Sequence, residues 1–436
     1  MAQSRGLSGI NAPAWWHNLI LNKDGHPARG KLENVAIPFE QDPVFQDKFW
    51  FDVFQMKILV NGALPWRPYP PRGLWELQKG DELEAWRWLE QQGISTSHQL
   101  TLHGIAAAAY KHQFNPVLDY LNSLVWDGVP WLDTWAIDYL GAADTKYVRA
   151  VSAKWMIAAI ARVEDPGCQA DNALVLEGEQ GHVRRGKSSA LNVLGQPWYT
   201  DQLDADLSHK DASEQVVGVW IVELGELEAM IRSSPAAIKA FITRRKGRFR
   251  WSYDPAIREY PRQCVFAGTV NDQSWNRDPT GNRRFWPIWC TIIDVPGLEL
   301  ARDQLWAEAH HRYVRGEKHF LDEPALVVEA REEQELRYLQ DPWEETIAKF
   351  LREKVAGHRE NRSGDVFRNV VSMSELLNAV SVDFNKQSAR EQTRVANILK
   401  RQAWTKKRVP FDKYGKVCEL MDTASERKWV ICATNV

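Results

Sequence analysis

Cysteine is scarce in this 436-residue chain and never paired. The five residues Cys168, Cys264, Cys290, Cys418 and Cys432 are odd in number and include no CxxC motif, so neither a disulfide framework nor a zinc site is indicated. Long apolar runs are missing too. No segment approaches the roughly 20 uninterrupted apolar residues that span a bilayer, so no membrane partner is expected. Met1 to Asn11 has neither an apolar core nor a small-residue cleavage site, and the expected location is the cytoplasm. Internal repeats and low-complexity tracts are absent, and no primase catalytic motif stands out. With a net charge of −2 the molecule supplies no attractive field for nucleic acid, and any such binding must come from local basic patches.

What is present is the mix of a soluble globular protein, 44% apolar and 26% charged. The length suggests two to four units. The 21 tryptophans occupy mostly amphipathic positions, where packing in cores and interfaces is their expected role.

Residues 1–130 show apolar residues at helical spacing, as in Asp81 to Gln92 and Leu102 to His112, and read as a helical N-terminal region. A helix over Tyr147 to Val163 then leads through Asp165-Pro-Gly into the buried strand Ala173 to Leu176, a glycine-rich turn and a helix beginning near Lys187. Further strands are expected at Val216 to Val222 and Gln263 to Thr269, with a helix over Pro235 to Thr243 between them. Such alternation predicts an α/β core over 131–321 with a parallel sheet. A connecting helix is expected over 322–342. Beyond it, over 343–436, helices at Met373 to Val380 and Ser388 to Arg401, a basic stretch and a strand at Lys428 to Cys432 fit a winged helix-turn-helix unit.

Gly181 to Ser188 (GHVRRGKS) has P-loop spacing between a predicted strand and a predicted helix. In that setting backbone N–H groups at the helix start cradle phosphate oxygens, so Gly181, Gly186, Lys187, Ser188 and Ser189 are the expected nucleotide-binding residues. Lys187 neutralises the β/γ-phosphates of ATP, and Ser188 places a hydroxyl on Mg²⁺. The bland alternative is a glycine turn beside a surface lysine. Downstream, Val219 to Val222 runs into Glu223 and Glu226 at the carboxyl end of a strand, where open α/β sheets bind ligands. Glu223 is assigned to the metal and its water shell and Glu226 to polarising the attacking water, two roles that can be exchanged. Asn271, ending the third strand, is placed to reach the γ-phosphate or that water. The arginines Arg283 and Arg284 follow a turn, where one can stabilise transition-state charge in a neighbouring subunit. Lastly, Arg244, Arg245, Lys246, Arg248 and Arg250, interleaved with aromatics around Gly247, suit a hairpin that tracks a phosphate backbone. A solvated charged face is the plainer reading of that run.

From about Trp126 to Trp289 these residues, taken in order, resemble the virulence-associated E family of phage and plasmid P-loop ATPases. The likeness runs through Trp126-Asp-Gly128, the helix Tyr147 to Trp155, Pro166-Gly-Cys168, the P-loop, Asp211 with Glu214, Trp220 to Leu224, Lys239 to Phe241, Gly268 to Asn271 and Gly281 to Pro287. The resemblance implies kinship to superfamily III helicases of the AAA+ class. It further implies a homo-oligomeric ring, hexameric, with DNA in its pore and a separate primase as a possible partner. Asn271 then becomes a sensor, Arg283 or Arg284 an arginine finger, and the 244–251 segment a DNA-facing hairpin. The family's first loop glycine aligns with Gly178, which seven residues separate from Gly186 where four are usual. Trp131, Gln169 and Gly247 stand where the family carries Arg, Lys and Asp.

The expectation is therefore an ATP-hydrolysing DNA helicase or translocase acting on single- or double-stranded DNA in the replication of a mobile element. The alternative is a non-catalytic DNA- or origin-binding protein whose altered P-loop holds nucleotide poorly, and a small-molecule kinase is disfavoured.

Overall fold

The computed structural model describes residues 13–179, 186–203, 207, 210–233, 235–250, 257–276, 282–352, 370–383, 387–402, 404–410 and 425–431. Two compact units form, one from Met1–Leu227, Ala236–Asn271 and Phe285–Glu329, the other from Glu228–Pro235, Asp272–Arg284 and Ala330–Val436.

The first unit begins with α1 (Leu32–Gln41), β1 (Phe49–Asp52), β2 (Lys57–Asn61), β3 (Leu74–Glu76), α2 (Lys79–Gln91), α3 (His98–Ala109), β4 (Gln113–Phe114) and α4 (Pro116–Ser123). Local sequence sets these helix starts. Gln78 and Asp81 form a reciprocal capping box on α2, and Asn115 accepts from the backbone N–H of Val117 and Leu118 ahead of α4, whose first residue is proline. The four strands pair in the order β3-β2-β1-β4, a sheet that the helical reading of this region did not include. Its strands are two to five residues long, and β1 is buried almost throughout, so no period-two alternation marks them. An aromatic core holds the layer together: Phe45 packs edge-on against Trp88 at 4.8 Å, and Trp15 Nε1 donates to Asp42 at 2.7 Å.

The same unit continues through α5 (Trp135–Leu140), α6 (Lys146–Glu164), β5 (Ala173–Glu177), α7 (Lys187–Gly195), β6 (Tyr199–Thr200), α8 (Lys210–Glu214) and β7 (Ile221–Leu224). After α9 (Leu227–Ser233), which from Glu228 on is assigned to the second unit, and α10 (Pro235–Thr243) come β8 (Lys246–Phe249), β9 (Arg258–Pro261), β10 (Val265–Val270), β11 (Phe285–Trp289) and α11 (Val295–Val314). Five strands make a wholly parallel sheet in the order β11-β5-β10-β7-β6. Parallel sheets are buried on both faces, which is why β5 and β7 are apolar but for Glu177 and Glu223 and are buried at every position. Tryptophans pin the helices to this sheet and to one another. Trp155 Nε1 of α6 donates to Phe266 O at 2.8 Å, Trp220 Nε1 to Ala159 O at 2.9 Å, and Trp306 Nε1 of α11 to Leu194 O at 3.0 Å. Trp220 and Trp306 also lie with ring centroids 4.1 Å apart, so these indoles combine large apolar burial with a satisfied N–H.

In the second unit, α12 (Pro324–Leu336), which spans the junction, is followed by α13 (Pro342–Arg352), β12 (Val370–Val371), α14 (Met373–Ala379), α15 (Ala389–Arg401), β13 (Trp404–Pro410) and β14 (Ser425–Ile431). Ser372 and Glu375 form the capping box that starts α14. The strands form a small antiparallel sheet, β12-β14-β13. Ile347, Leu376, Val395 and Leu399 from the three helices share a buried core with Trp404.

Candidate nucleotide-binding site

The carboxyl ends of β5, β7 and β10 bring together most of the residues assigned to nucleotide chemistry. β10 lies between the other two, so the end of each strand faces its neighbour's. Gly178 follows β5 directly. Its φ is +147°, and a Cβ there would stand 2.5 Å from the carbonyl oxygen of Cys290, so only glycine fits. That placement allows its own carbonyl to accept from Lys187 Nζ at 2.6 Å. Residues 180–185, which include Gly181, lie outside the described residues.

Gly186, in extended conformation, precedes α7 and has no side chain to cap it, so among the described residues the first-turn N–H groups lack a side-chain acceptor. Lys187 and Ser188 open the helix and Ser189 follows, half-buried. Lys187 Nζ makes a second hydrogen bond, to Asn271 Oδ1 at 3.2 Å. Burial holds its ammonium below the ordinary lysine range, opposed in part by the nearby Glu223 carboxylate.

Glu223 is only 2% exposed, yet it has no salt-bridge partner among the described residues. Three hydroxyls serve it instead. Ser188 Oγ and Thr269 Oγ1 donate to Oε1 at 2.7 Å each, and Tyr199 Oη donates to Oε2 at 2.5 Å. Burial first, and then the bond to Glu223, push the Tyr199 phenol well above its usual value, so it remains a donor. Ser188 itself is exposed, and because its proton points to Glu223 its lone pairs are left for a cation. A hydroxyl beside a carboxylate is the hard oxygen set that Mg²⁺ accepts, and a Mg²⁺ carried by phosphates needs few protein ligands. The residues present therefore fit a magnesium nucleotide. Glu226 stands just past β7 with φ +49°, exposed and without a polar partner among the described residues.

The basic segment forms a real hairpin. β8 pairs antiparallel with β9, matching Arg248 to Glu259 and Gly247 to Tyr260, and Phe249 stacks on Tyr260 at 4.5 Å. Its five cations divide by environment. Arg244 Nη1 donates to Ser213 Oγ at 2.8 Å and Arg245 Nε to Gly167 O at 2.7 Å, so both hold the base of the hairpin. Lys246 pairs with Glu259 at 3.0 Å on the open surface, while Arg248 and Arg250 are exposed and have no polar partner among the described residues. Anchoring continues at buried Arg262, whose guanidinium lies over the Phe241 ring at 4.4 Å and the Phe266 ring at 5.2 Å.

The sequence profile of the virulence-associated protein E-like domain matches residues 121–339, half of the chain. The chain belongs to the virulence-associated protein E-like family. Among solved structures it is similar to the apo C-terminal region of NrS-1 (residues 305–718), at 13% identity and a TM-score of 0.47, covering 88% of this chain and 96% of that one. The A form of the same region matches at 13% identity, with a TM-score of 0.43 and coverage of 88% and 95%. No curated protein matches.

Within this member of the virulence-associated protein E-like family, the matched segment contains every residue described above for the nucleotide site. Arg283 and Arg284 also fall inside it, on a single 3₁₀ turn (Asn282–Arg284) that belongs to the second compact unit. Arg283 is exposed and Arg284 half-buried. Gly178, which the family resemblance aligned with the first loop glycine, is the position where the close approach of Cys290 demands glycine, and sequence reasoning overlooked Tyr199 and Thr269 as site residues. Thr269 was readable in principle, two residues before Asn271 and hence on the same face of β10. Tyr199 was not, because it comes from an edge strand of two residues.

Proposed function

We propose that this protein is a Mg²⁺-dependent ATPase that acts on DNA during replication of a phage, plasmid or genomic island, as a helicase or translocase. The observation that carries the reading is the convergence of Lys187, Ser188, Glu223 and Asn271 at the carboxyl ends of parallel strands, beside a helix start whose N–H groups have no side-chain acceptor among the described residues. Bound ATP and Mg²⁺ supply the transferable phosphoryl group and the charge that organises it. Lys187 binds phosphate oxygens, exchanging its protein acceptors for them, and Ser188 binds the cation with its lone pairs. Glu223 orients the cation's water shell from its hydroxyl cradle. Glu226, exposed and unpartnered among the described residues, takes the part of the base that orients the attacking water, and Asn271 reports on the phosphate from the adjacent strand. The exposed face of the β8–β9 hairpin supplies a DNA-tracking strip through Arg248 and Arg250.

Family membership supports the remaining parts: a ring of subunits in which Arg283 or Arg284 reaches a neighbour's nucleotide, DNA in the pore, and a primase supplied separately. The three helices and antiparallel sheet of the second unit suit a winged helix that binds DNA.

A second reading is favoured by one observation. Lys187 already has two protein acceptors, as expected of a DNA-binding replication protein that holds nucleotide poorly. ATP hydrolysis by wild type and Lys187→Ala, with Mg²⁺ and with or without single-stranded DNA, separates the two. Turnover that rises with DNA and vanishes in the variant supports the motor, whereas no turnover in wild type supports the second reading.

A further inference from the structure

We propose that Tyr199 is a positioning residue for hydrolysis, fixing the Glu223 carboxylate from the far edge of the sheet so that its second oxygen cannot turn away from the cation site. The proposal rests on the ATPase reading and goes beyond it, because Tyr199 contacts neither the P-loop helix nor the strand that ends in Asn271 through any polar bond among the described residues.

Glu223 carries one buried oxygen served twice and one served once. Ser188 and Thr269 both donate to Oε1, and both lie on elements that a nucleotide would touch. Among the described residues, only Tyr199 serves Oε2, at 2.5 Å, from β6, which pairs there with β7 alone. Without that hydroxyl, Oε2 would be a charged acceptor in a 2% exposed side chain with no donor, and the carboxylate would rotate or draw in water to satisfy it. Ser188 has one proton, so any rotation that recruits it to Oε2 also turns its lone pairs away from the cation. Tyr199 therefore sets the direction of Ser188 as well as that of Glu223.

Tyr199→Phe removes the hydroxyl and keeps the ring. Hydrogen bonds to charged groups are the strong class, so loss of this one should lower kcat by about ten- to a hundredfold. The Mg²⁺ concentration that half-saturates binding of a fluorescent ATP analogue should rise and the thermal midpoint should fall, because a buried carboxylate oxygen loses its donor, while analogue affinity in EDTA stays close to wild type. Glu223→Gln and the Tyr199→Phe/Glu223→Gln double variant complete a cycle. If Tyr199 acts through Glu223, the double variant turns over no more slowly than Glu223→Gln alone. Wild-type values of kcat and Mg²⁺ half-saturation in Tyr199→Phe would overturn the proposal, and so would additive losses in the double variant. If wild type neither binds the analogue in the presence of Mg²⁺ nor hydrolyses ATP, the ATPase reading itself fails and takes this inference with it.

Discussion

Lys187 and Asn271 meet between the first turn of α7 and the end of β10, Nζ to Oδ1 at 3.2 Å, and the same ammonium holds the Gly178 carbonyl. One lysine thus ties the loop to the strand beside it. A nucleotide arriving there must take over N–H groups that two protein oxygens now share. Asn271→Ala removes one competitor, so ATP binding should be unchanged or up to about threefold tighter, a difference of under 1 kcal/mol. Turnover should nevertheless fall by about tenfold or more, since the amide no longer meets the phosphate or the water in the transition state. Lys187→Ala should instead abolish binding. Equilibrium binding of a fluorescent ATP analogue, measured alongside steady-state hydrolysis, checks both, and equal kcat in Asn271→Ala and wild type would remove the sensor role.

Gly178 makes a second prediction. Alanine at this position adds a Cβ 2.5 Å from the Cys290 carbonyl oxygen and must do so at φ +147°. Each feature alone costs on the order of 1 to 3 kcal/mol. Gly178→Ala should therefore unfold at clearly lower denaturant concentration and lose the Lys187 contact, weakening nucleotide binding. Gly186→Ala meets no atom of the described residues within 4 Å at an ordinary backbone conformation, and should be milder in stability by chemical denaturation.

These two glycines also show where the sequence was informative. Counting back from Gly186 picked Gly181 because the motif has a fixed length, whereas the structure puts the steric demand at Gly178, visible only once Cys290 at the end of β11 is known to lie against it. The helices announced themselves: Pro235–Thr243 was readable to the residue, and α6 to within one residue at each end. The buried strands β5 and β10 were equally plain, being short apolar runs between turn residues. Val216 to Gly218, read as strand, is instead a turn that delivers Trp220 to the core. The N-terminal sheet escaped notice because strands of two to five residues carry too few positions to show a period. Tyr199 escaped for a different reason, since its importance lies in a hydrogen bond across the sheet and not in any local pattern.

Tyr199 also predicts a spectroscopic signature. A phenol whose folded pKa is raised contributes stability that is complete below the usual value of 10 and is lost only as pH climbs through the higher folded value. Across the neutral range that contribution is constant, so no limb of the ATPase pH profile should arise from this residue. In an alkaline absorbance titration of the 11 tyrosines, Tyr199→Phe should lose intensity only from the late-ionising group. Loss from the group that ionises near pH 10 would mean that the phenol is not held by Glu223 in solution.

The hairpin cations should separate into two functional kinds. Arg248 and Arg250 face solvent without polar partners among the described residues, whereas Arg244 and Arg245 hold Ser213 and Gly167. A phosphate contact releases counterions, and for single-stranded DNA each one steepens the dependence of log K on log salt by about 0.7. The Arg248→Ala/Arg250→Ala double variant should therefore flatten that slope by roughly 1.4 while leaving stability near wild type. Arg245→Ala should do the reverse, costing about 1 kcal/mol of stability through the lost bond to the Gly167 carbonyl and shifting the salt slope little. Binding titrations at several salt concentrations, paired with denaturant unfolding, measure both quantities on the same proteins. An unchanged slope in the double variant would take the hairpin out of DNA binding and leave the second unit as the place to look for it.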